Sequence, residues 1–216
     1  MVGNGSVVMA LNVGIYVYDQ AEVLDFSGPF EVFSTANRLV AEPPFNVFLV
    51  GETGAMVQAR GGFHVSPAYG FHNHPTLDVL IVVGGVHSQE LLKPKVMDWI
   101  ATAASQAKLI ASVCTGVFLL AKANVIQQET VTTHWQDIAD LRRDFPRLNV
   151  VENTPWVDQG RMVTSAGISA GIGMSLHLVS RLHSLELAVR TARQMEFDWR
   201  PLEFDWRPLA VGWQSL

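Results

Sequence analysis

The most constraining segment of the chain is residues 108–121, where an apolar run ends at the only cysteine, Cys114, and a helical pattern follows. This order is typical of a strand, a sharp turn and a helix. A residue at such a turn projects at the carboxyl edge of a sheet, where α/β proteins bind their ligands. The start of the following helix can receive an anion, and its dipole favours a thiolate. The segment predicts a reactive cysteine; the alternative is a small, buried apolar residue.

The rest of the chain alternates in the same way. Apolar runs predict buried strands at residues 10–17, 45–50, 77–83 and 109–113, with shorter strands near 56–58, 62–66, 130–133, 150–151, 155–158 and 162–164. Helices are predicted from an N-cap at Ser27 to about Leu39, over 95–106, after Cys114, from His134 to about Phe145, and from about Ser165 past Arg190. The pattern predicts an α/β fold whose mostly parallel sheet is covered on both faces.

Composition narrows the classes of function. The chain has 216 residues, 49% of them hydrophobic and 16% charged, which suits one domain with a large core. The net charge of −5 provides no basic surface for nucleic acid. The apolar runs are too short to span a membrane, and the first eighteen residues lack the basic start of a signal peptide. We therefore expect a cytoplasmic protein with no nucleic-acid or membrane partner.

Asp25 and a glycine pair are the candidate partners of the cysteine. Asp25 lies in the connection that leaves the first strand, so we expect it at the same sheet edge as Cys114. A carboxyl group beside a thiolate can be kept protonated by burial and by the like charge, and can then donate a proton. The alternative is a solvated or helix-capping carboxylate. Gly84 and Gly85 follow a buried strand and could expose N–H groups there, or form an ordinary tight turn.

The histidines give weaker signals. His134 begins a predicted helix directly after a strand, and both a structural and a catalytic role stay open. His72 and His74 are close in sequence, but no cysteine or carboxylate cluster with ligand spacing accompanies them, so no metal site is predicted. The residue after the cysteine is Thr115 and not histidine, which removes the simplest route to a cysteine–histidine pair.

Five motifs occur in an order that resembles the ThiJ/PfpI superfamily, which is related to class I glutamine amidotransferase domains. They are LDFSGP at 24–29, VVGG at 82–85, SVCTG at 112–116, TTHW at 132–135 and AGISAG at 166–171. The resemblance implies a flavodoxin-like three-layer α/β/α sandwich over residues 10–195, preceded by a flexible lead at 1–9. Within the superfamily, Asp25 and the Cys-Thr-Gly turn resemble the isonitrile (isocyanide) hydratase branch.

That branch adds water to an isonitrile to give an N-substituted formamide. The resemblance implies that Cys114 is the nucleophile, Asp25 the general acid and base, and Thr115 a further catalytic group. It assigns substrate binding or charge stabilisation to Gly84, Gly85, Gly116, His134 and Gly167. It also implies a small-molecule substrate, a homodimer, no cofactor and no metal.

Three alternatives stay open at this point. The same motifs resemble the N-terminal domain of AraC-type regulators, although we expect no helix-turn-helix region in the residues that remain after this domain. A binding protein that senses redox state through Cys114, or a glyoxalase-like or deglycase-like enzyme, would use the same cysteine. Residues 196–216 form a tail in which EFDWRPL occurs twice, and we expect one copy to dock and the other to be loosely held.

Overall fold

The structure is a computed structural model that describes residues 9–200, so most of the expected flexible lead and the second EFDWRPL copy lie outside the described residues. Its strands are β1 Leu11–Tyr16, β2 Phe45–Val50, β3 Val57–Gln58, β4 His64–Val65, β5 Val79–Val82, β6 Leu109–Val113, β7 Thr130–Val131, β8 Asn149–Val150, β9 Trp156–Asp158 and β10 Met162–Ser165. Its α-helices are α1 Val23–Arg38, α2 Pro94–Gln106, α3 Gly116–Lys122, α4 Ile138–Asp144, α5 Ala170–Leu182 and α6 Leu185–Gln194. Short 3₁₀ helices cover Arg60–Gly62, Glu90–Leu92 and Trp135–Asp137.

The central sheet has six strands in the order β2-β1-β5-β6-β10-β9. All neighbouring pairs are parallel except β10 with β9, which is antiparallel. Helices α1, α5 and α6 pack together against one face, and α2 and α3 pack together against the other. The mostly parallel, three-layer α/β/α fold predicted from the sequence is therefore confirmed.

The middle strands read as uninterrupted apolar runs because both of their faces are covered. Every residue of β5 and β6 is buried. The two faces of the sheet can be told apart by their neighbours. On one face, the side chain of Val113 in β6 contacts α5 near Gly171. On the other face, Tyr16, which shares a register row with Ser112 of β6, packs on Trp99 of α2. A strand without such double cover would alternate apolar and polar residues instead.

One row of paired residues locates the carboxyl edge of the sheet. Tyr16, Val82, Ser112 and Thr164 are register partners on four adjacent parallel strands. Two residues farther along, just past the ends of β1, β5 and β6, the chain carries Tyr18, Gly84 and Cys114. The reactive cysteine and the glycine pair therefore leave the sheet side by side.

Two helix predictions are wrong. Helix α1 begins at Val23 rather than after Ser27, whose hydroxyl instead donates to the Val23 carbonyl oxygen at 2.8 Å. Asp25 consequently lies in the first turn of a helix and not in a loop. The single long helix predicted past Arg190 is two helices, because the chain turns at residues 183–184 and the Ser184 side chain caps α6 by accepting the Leu187 N–H at 3.1 Å.

The described part of the tail packs against the domain. Phe197 and Trp199 are partly buried against the core, and the Trp199 indole N–H donates to the Gly173 carbonyl oxygen at 3.1 Å. These residues belong to the first EFDWRPL copy. Elsewhere in residues 9–200, no helix combines the length and apolar character that a membrane span requires.

Candidate active site

Cys114 lies at a strained turn between β6 and α3. Its φ is +56°, a backbone conformation that non-glycine residues rarely adopt. Two hydrogen bonds hold the turn: the Cys114 N–H donates to the Ala166 carbonyl oxygen at 3.3 Å, and the Thr133 hydroxyl donates to the Cys114 carbonyl oxygen at 2.9 Å. The predicted strand, sharp turn and helix are therefore present, and the thiol is buried at the edge of the sheet.

The glycines beside the turn have no room for side chains. A Cβ atom on Gly84 would lie 2.5 Å from the Thr115 nitrogen and 2.8 Å from the Cys114 Cβ. A Cβ atom on Gly116 would lie 2.1 Å from the Val82 carbonyl oxygen. All three distances are shorter than the contacts that real Cβ atoms make, so glycine at these two positions is what lets the turn pack onto the end of β5.

Asp25 reaches the same place from the start of α1. Its side chain is completely buried, and Oδ2 accepts the Gly84 N–H at 3.1 Å. The Gly84 carbonyl oxygen in turn accepts the Glu22 N–H at 2.9 Å, which ties the first turn of α1 to the glycine pair. The expectation that Asp25 shares a sheet edge with Cys114 agrees with this placement.

Burial dominates the acid–base chemistry of Asp25. Loss of hydration, with a smaller contribution from the negative charge of Glu22, raises the pKa of its carboxyl group from 3.8 to about 7. The Gly84 N–H, which donates to Oδ2, acts in the opposite direction, and the nearby Cys114 thiol and Ile168 N–H lower the pKa by smaller amounts. Near neutral pH the side chain is therefore poised between acid and base, in the direction that the sequence predicts.

The thiol departs from prediction. The expected effect of the helix dipole was a lowered pKa, but burial and the negative charge of Asp25 raise the pKa of Cys114 from 9.0 to about 12. The N–H groups of Thr115 and Ile168 lower it by a smaller amount, and the carboxylate of Asp137 raises it slightly. A buried sulfur two residues ahead of a seven-residue helix loses more from desolvation than the helix dipole returns.

Cys114 and Asp25 therefore titrate as one unit. The Asp25 charge raises the pKa of the thiol, and the thiol lowers that of the carboxyl group, so near neutral pH the thiol is protonated and the carboxyl group, with a pKa of about 7, is the one that exchanges its proton. When the proton lies on Asp25, the thiolate has lost the repulsion that raises its pKa and has a neighbouring acid. This is the arrangement that a nucleophile and a proton donor need for the same reaction.

Thr115 fastens the second glycine of the pair. The Gly85 N–H donates to Thr115 Oγ1 at 3.0 Å, and the same hydroxyl donates to the Gly85 carbonyl oxygen at 3.1 Å. Both backbone N–H groups of the glycine pair are thus occupied: that of Gly84 donates to Asp25 Oδ2, and that of Gly85 donates to Thr115 Oγ1. This geometry favours a role for all three residues in holding the site in shape, while direct contact with a substrate stays a prediction.

His134 and Gly167 lie in a cleft beside the pair. The cleft has a volume of about 550 Å³, and its walls include His134, the exposed Trp135, Gly167 and Ile168. A Cβ atom on Gly167 would lie 2.1 Å from the His134 Cδ2, so glycine makes room for the imidazole ring. The His134 Nδ1 lies 3.2 Å from Asp137 Oδ2 and 3.4 Å from the Gln136 nitrogen, which orients the ring along the cleft.

Ile168 is a site residue that the sequence analysis missed. Its φ is +53°, an outlier for a β-branched residue, and its N–H lowers the pKa values of both Cys114 and Asp25. It also lines the cleft, so it connects the pair with the region of His134. Its place in the AGISAG motif was visible, but isoleucine is the kind of residue that argues against a left-handed backbone.

His74, one of the two histidines that are close in sequence, has structural contacts. The His74 Nε2 accepts the Trp99 indole N–H at 3.0 Å, and its Nδ1 lies 2.8 Å from the Pro75 carbonyl oxygen. Over residues 9–200, no three His, Cys, Asp or Glu side chains are grouped so as to hold a metal ion.

Comparison with known proteins shows which protein family has this architecture. The model of the DJ-1/PfpI family matches residues 12–181, most of the chain. This chain belongs to the DJ-1/PfpI family. The superfamily resemblance drawn from the five motifs is therefore confirmed.

Among DJ-1/PfpI relatives, isonitrile hydratase from Pseudomonas putida is 32% identical over 190 residues, covering 88% of this chain and 79% of that protein. The HTH-type transcriptional regulator GbdR of Pseudomonas aeruginosa is 27% identical over 187 residues. That match covers 87% of this chain and 51% of the regulator, so the chain spans about half of the regulator's length.

Solved structures of DJ-1/PfpI proteins share the fold. A ThiJ/PfpI family protein from Pseudomonas syringae aligns with a TM-score of 0.79 at 24% identity, covering 94% of this chain and 81% of the other. Drosophila melanogaster DJ-1beta aligns with a TM-score of 0.75 at 18% identity, covering 88% and 100%.

Proposed function

We propose that this DJ-1/PfpI protein is a cysteine-dependent isonitrile hydratase, with Cys114 as nucleophile and Asp25 as general acid and base. The observation that carries the proposal is the burial of one thiol beside one carboxyl group whose pKa is about 7, so that a proton donor adjoins the sulfur. The similarity to isonitrile hydratase from Pseudomonas putida supports the substrate class. A small-molecule substrate also suits the enclosed cleft that adjoins the pair.

In the first step the Cys114 sulfur attacks the terminal carbon of the isonitrile, and Asp25 delivers its proton to that carbon. A C–S bond and a C–H bond form, and the product is a thioimidate, S–CH=N–R. The isonitrile carbon carries a lone pair, so a proton donor beside the nucleophile is what the step requires. The sulfur lone pair forms the C–S bond and the Asp25 proton forms the C–H bond, so the negative charge moves from the thiolate to the Asp25 carboxylate.

In the second step water adds across the C=N bond. Asp25, now a carboxylate, takes a proton from the water as the water oxygen bonds to carbon, and it passes that proton to the nitrogen. It then accepts the remaining hydroxyl proton as the tetrahedral intermediate collapses. The C–S bond then breaks, the C=O bond forms, and the sulfur leaves with its electron pair. The products are an N-substituted formamide and the regenerated pair, so the overall reaction converts one isonitrile and one water molecule into one formamide.

The direct test measures formamide produced from a simple alkyl or aryl isonitrile. We expect turnover by the wild-type protein and a loss of at least about a hundredfold in Cys114→Ala and in Asp25→Asn, since each removes a group that reacts. Asp19→Asn is the matched control. Asp19 is an exposed aspartate six residues earlier, and its Oδ1 accepts the Gln58 N–H at 2.9 Å, a bond that asparagine preserves.

Turnover that survives in Asp25→Asn would overturn the role of Asp25. A folded wild-type protein that gives no formamide with any isonitrile tested would overturn the reaction itself. Circular dichroism and an unfolding curve for each variant separate loss of chemistry from loss of fold.

A second candidate is a ligand-sensing domain without turnover. The similarity to GbdR, which extends over 87% of this chain, favours it. A sensor would bind a small molecule in the cleft with the thiol unconsumed, and Cys114→Ala would retain the binding. Calorimetric titration of wild type and Cys114→Ala, with the products assayed in the same sample, separates the two candidates. Homodimer formation and the cytoplasmic location stay predictions, and sedimentation equilibrium measures the first.

A further inference from the structure

Three buried side-chain oxygen atoms within residues 9–200 have no hydrogen-bond partner: Tyr18 Oη, Asp25 Oδ1 and Ser112 Oγ. All three belong to the strand ends and the helix start that build the candidate site. Buried polar atoms without partners are uncommon because each one loses its hydration without compensation. Their concentration around Cys114 indicates that this part of the site is built to hold a polar guest.

The mechanism has used neither Tyr18 nor Ser112, and Tyr18 is the one whose phenol interacts electrostatically with both Asp25 and Cys114. Its side chain is 3% exposed, and it lies two residues past the end of β1, as Gly84 lies two residues past the end of β5. The neighbouring Gly84 supplies the N–H that holds Asp25 Oδ2, so the phenol lies on the strand next to the one that anchors the carboxyl group.

The electrostatic surroundings keep Tyr18 a hydrogen-bond donor. Burial and the charges of Asp25, Glu90 and Cys114 all raise the pKa of its phenol well above 10, and among the charged groups Asp25 acts most strongly. The hydroxyl is therefore protonated at every pH at which the protein works. It can offer its hydrogen to an acceptor oxygen and accept one in return.

We propose that the Tyr18 hydroxyl and Oδ1 of Asp25 together hold the water molecule that hydrolyses the thioimidate. The inference rests on the proposed function, to which it adds a residue. Tyr18 donates to the water oxygen, Asp25 Oδ1 accepts one water hydrogen, and a lone pair of the oxygen faces the thioimidate carbon. As the C–O bond forms, the accepted proton passes to Asp25 and the Tyr18 bond is kept.

Tyr18→Phe tests the proposal, and Tyr16→Phe is its matched control. Both residues are buried tyrosines on one face of the same strand segment, but the Tyr16 hydroxyl donates to Oε1 of Glu90 and has its partner. Under the proposal, Tyr18→Phe slows the second step, so kcat falls roughly a hundredfold. The thioimidate then accumulates on Cys114 and appears in intact mass spectra as the protein plus one isonitrile. Tyr16→Phe leaves kcat within about twofold of wild type and shows no adduct.

A second readout needs no substrate. The water that Tyr18 holds donates to the Asp25 carboxylate and stabilises it, so its loss raises the pKa of Asp25. We expect the infrared carboxyl band of Asp25, assigned by difference against Asp25→Asn, to titrate about 0.5 to 1 pH unit higher in Tyr18→Phe. Glu22 and Cys114 also act on this carboxyl group and are unchanged in the variant.

The outcomes separate this inference from the proposed function. An unmoved Asp25 titration in a folded Tyr18→Phe overturns the shared guest position, whatever the turnover. A moved titration without an accumulated adduct in an active enzyme overturns the assignment to the second step. A moved titration in a protein that never converts isonitriles supports the joint site of Tyr18 and Asp25 and overturns the proposed reaction instead.

Discussion

Asp25 Oδ2 accepts the backbone N–H of Gly84 at 3.1 Å, a contact that joins the first turn of α1 to the end of β5 across 59 residues of sequence. The bond places the carboxyl group at the elbow that carries Cys114 and leaves its second oxygen without a protein partner. This contact holds the buried carboxyl group beside the thiol, where the proposed reaction needs its proton donor.

The buried acid makes stability depend on pH. The pKa of Asp25 is 3.8 when the side chain is solvated and about 7 in the folded protein. Between these values the unfolded chain releases the proton and the folded protein keeps it, so the free energy of unfolding falls as pH rises. Asp25→Asn removes this contribution. We expect it to gain up to a few kcal/mol over wild type between pH 4 and 8, at about 1.4 kcal/mol per pKa unit.

Urea unfolding at several pH values checks this prediction. Asp19→Asn, whose parent side chain is exposed, should keep the wild-type pH profile. Parallel profiles for wild type and Asp25→Asn would show that the carboxyl group ionises normally in the folded state.

The thiol should react slowly with an alkylating agent. Burial and the Asp25 charge raise the pKa of Cys114 to about 12, so the thiolate fraction of the free protein is small at neutral pH. We expect the rate of iodoacetamide labelling to rise through a pH midpoint above that of free cysteine. In Asp25→Asn the midpoint should fall, because the like charge is gone. A midpoint below that of free cysteine would favour the redox-sensing alternative, which needs a readily ionised thiol.

Gly84→Ala should disrupt both the fold and the site. The added Cβ would meet the backbone nitrogen of Thr115 at 2.5 Å, and backbone atoms cannot move aside as a flexible side chain can. We expect a loss of about 2 to 3 kcal/mol in stability and the loss of turnover. Gly160→Ala is the control: its φ is +79°, with nothing within 4 Å of the new atom, so it should lose only about 1 kcal/mol. Equal losses in thermal unfolding would contradict the close approach.

The break between α5 and α6 can be tested at its cap. Ser184 accepts the Leu187 N–H, whereas Ser169 precedes α5 without a side-chain capping bond. Ser184→Ala should lower the free energy of unfolding by about 1 kcal/mol, and Ser169→Ala should change it by less than half as much. Chemical denaturation of both variants measures the difference, and a reversed order would show that residues 183–184 are not a true helix boundary.

Much of the fold could be predicted from local pattern. The runs at 79–82 and 109–113 are buried throughout because both faces of the sheet are covered, which leaves almost wholly apolar stretches, while the run at 45–50 forms an edge strand with Asn46 exposed. The break after Leu182 was hidden because the apolar periodicity continues on both sides of it. Ser184 was a visible capping residue, but serine is equally common inside a helix surface.

The candidate site residues could be predicted where the chemistry requires a particular residue type. They could not be predicted where their role depends on burial or on backbone geometry. Cys114 and Asp25 could be proposed because a thiol at an elbow and an acid at the same edge have few other purposes. The raised pKa of Cys114 depends on how deeply the turn is buried, which no spacing reveals. Ile168 contributes its backbone N–H from a strained conformation, and backbone geometry of that kind leaves no mark on the side-chain pattern.

The most direct test of the central claim is a rapid-quench experiment with an isonitrile labelled with ¹³C at the terminal carbon, followed by peptide mapping. The account predicts a transient adduct on the Cys114 peptide that decays at the rate at which labelled formamide appears. It also predicts that Asp25→Asn forms this adduct much more slowly. Labelled formamide released while the Cys114 peptide stays unmodified at every time point, under conditions that detect a trapped standard, would contradict the nucleophilic role of Cys114.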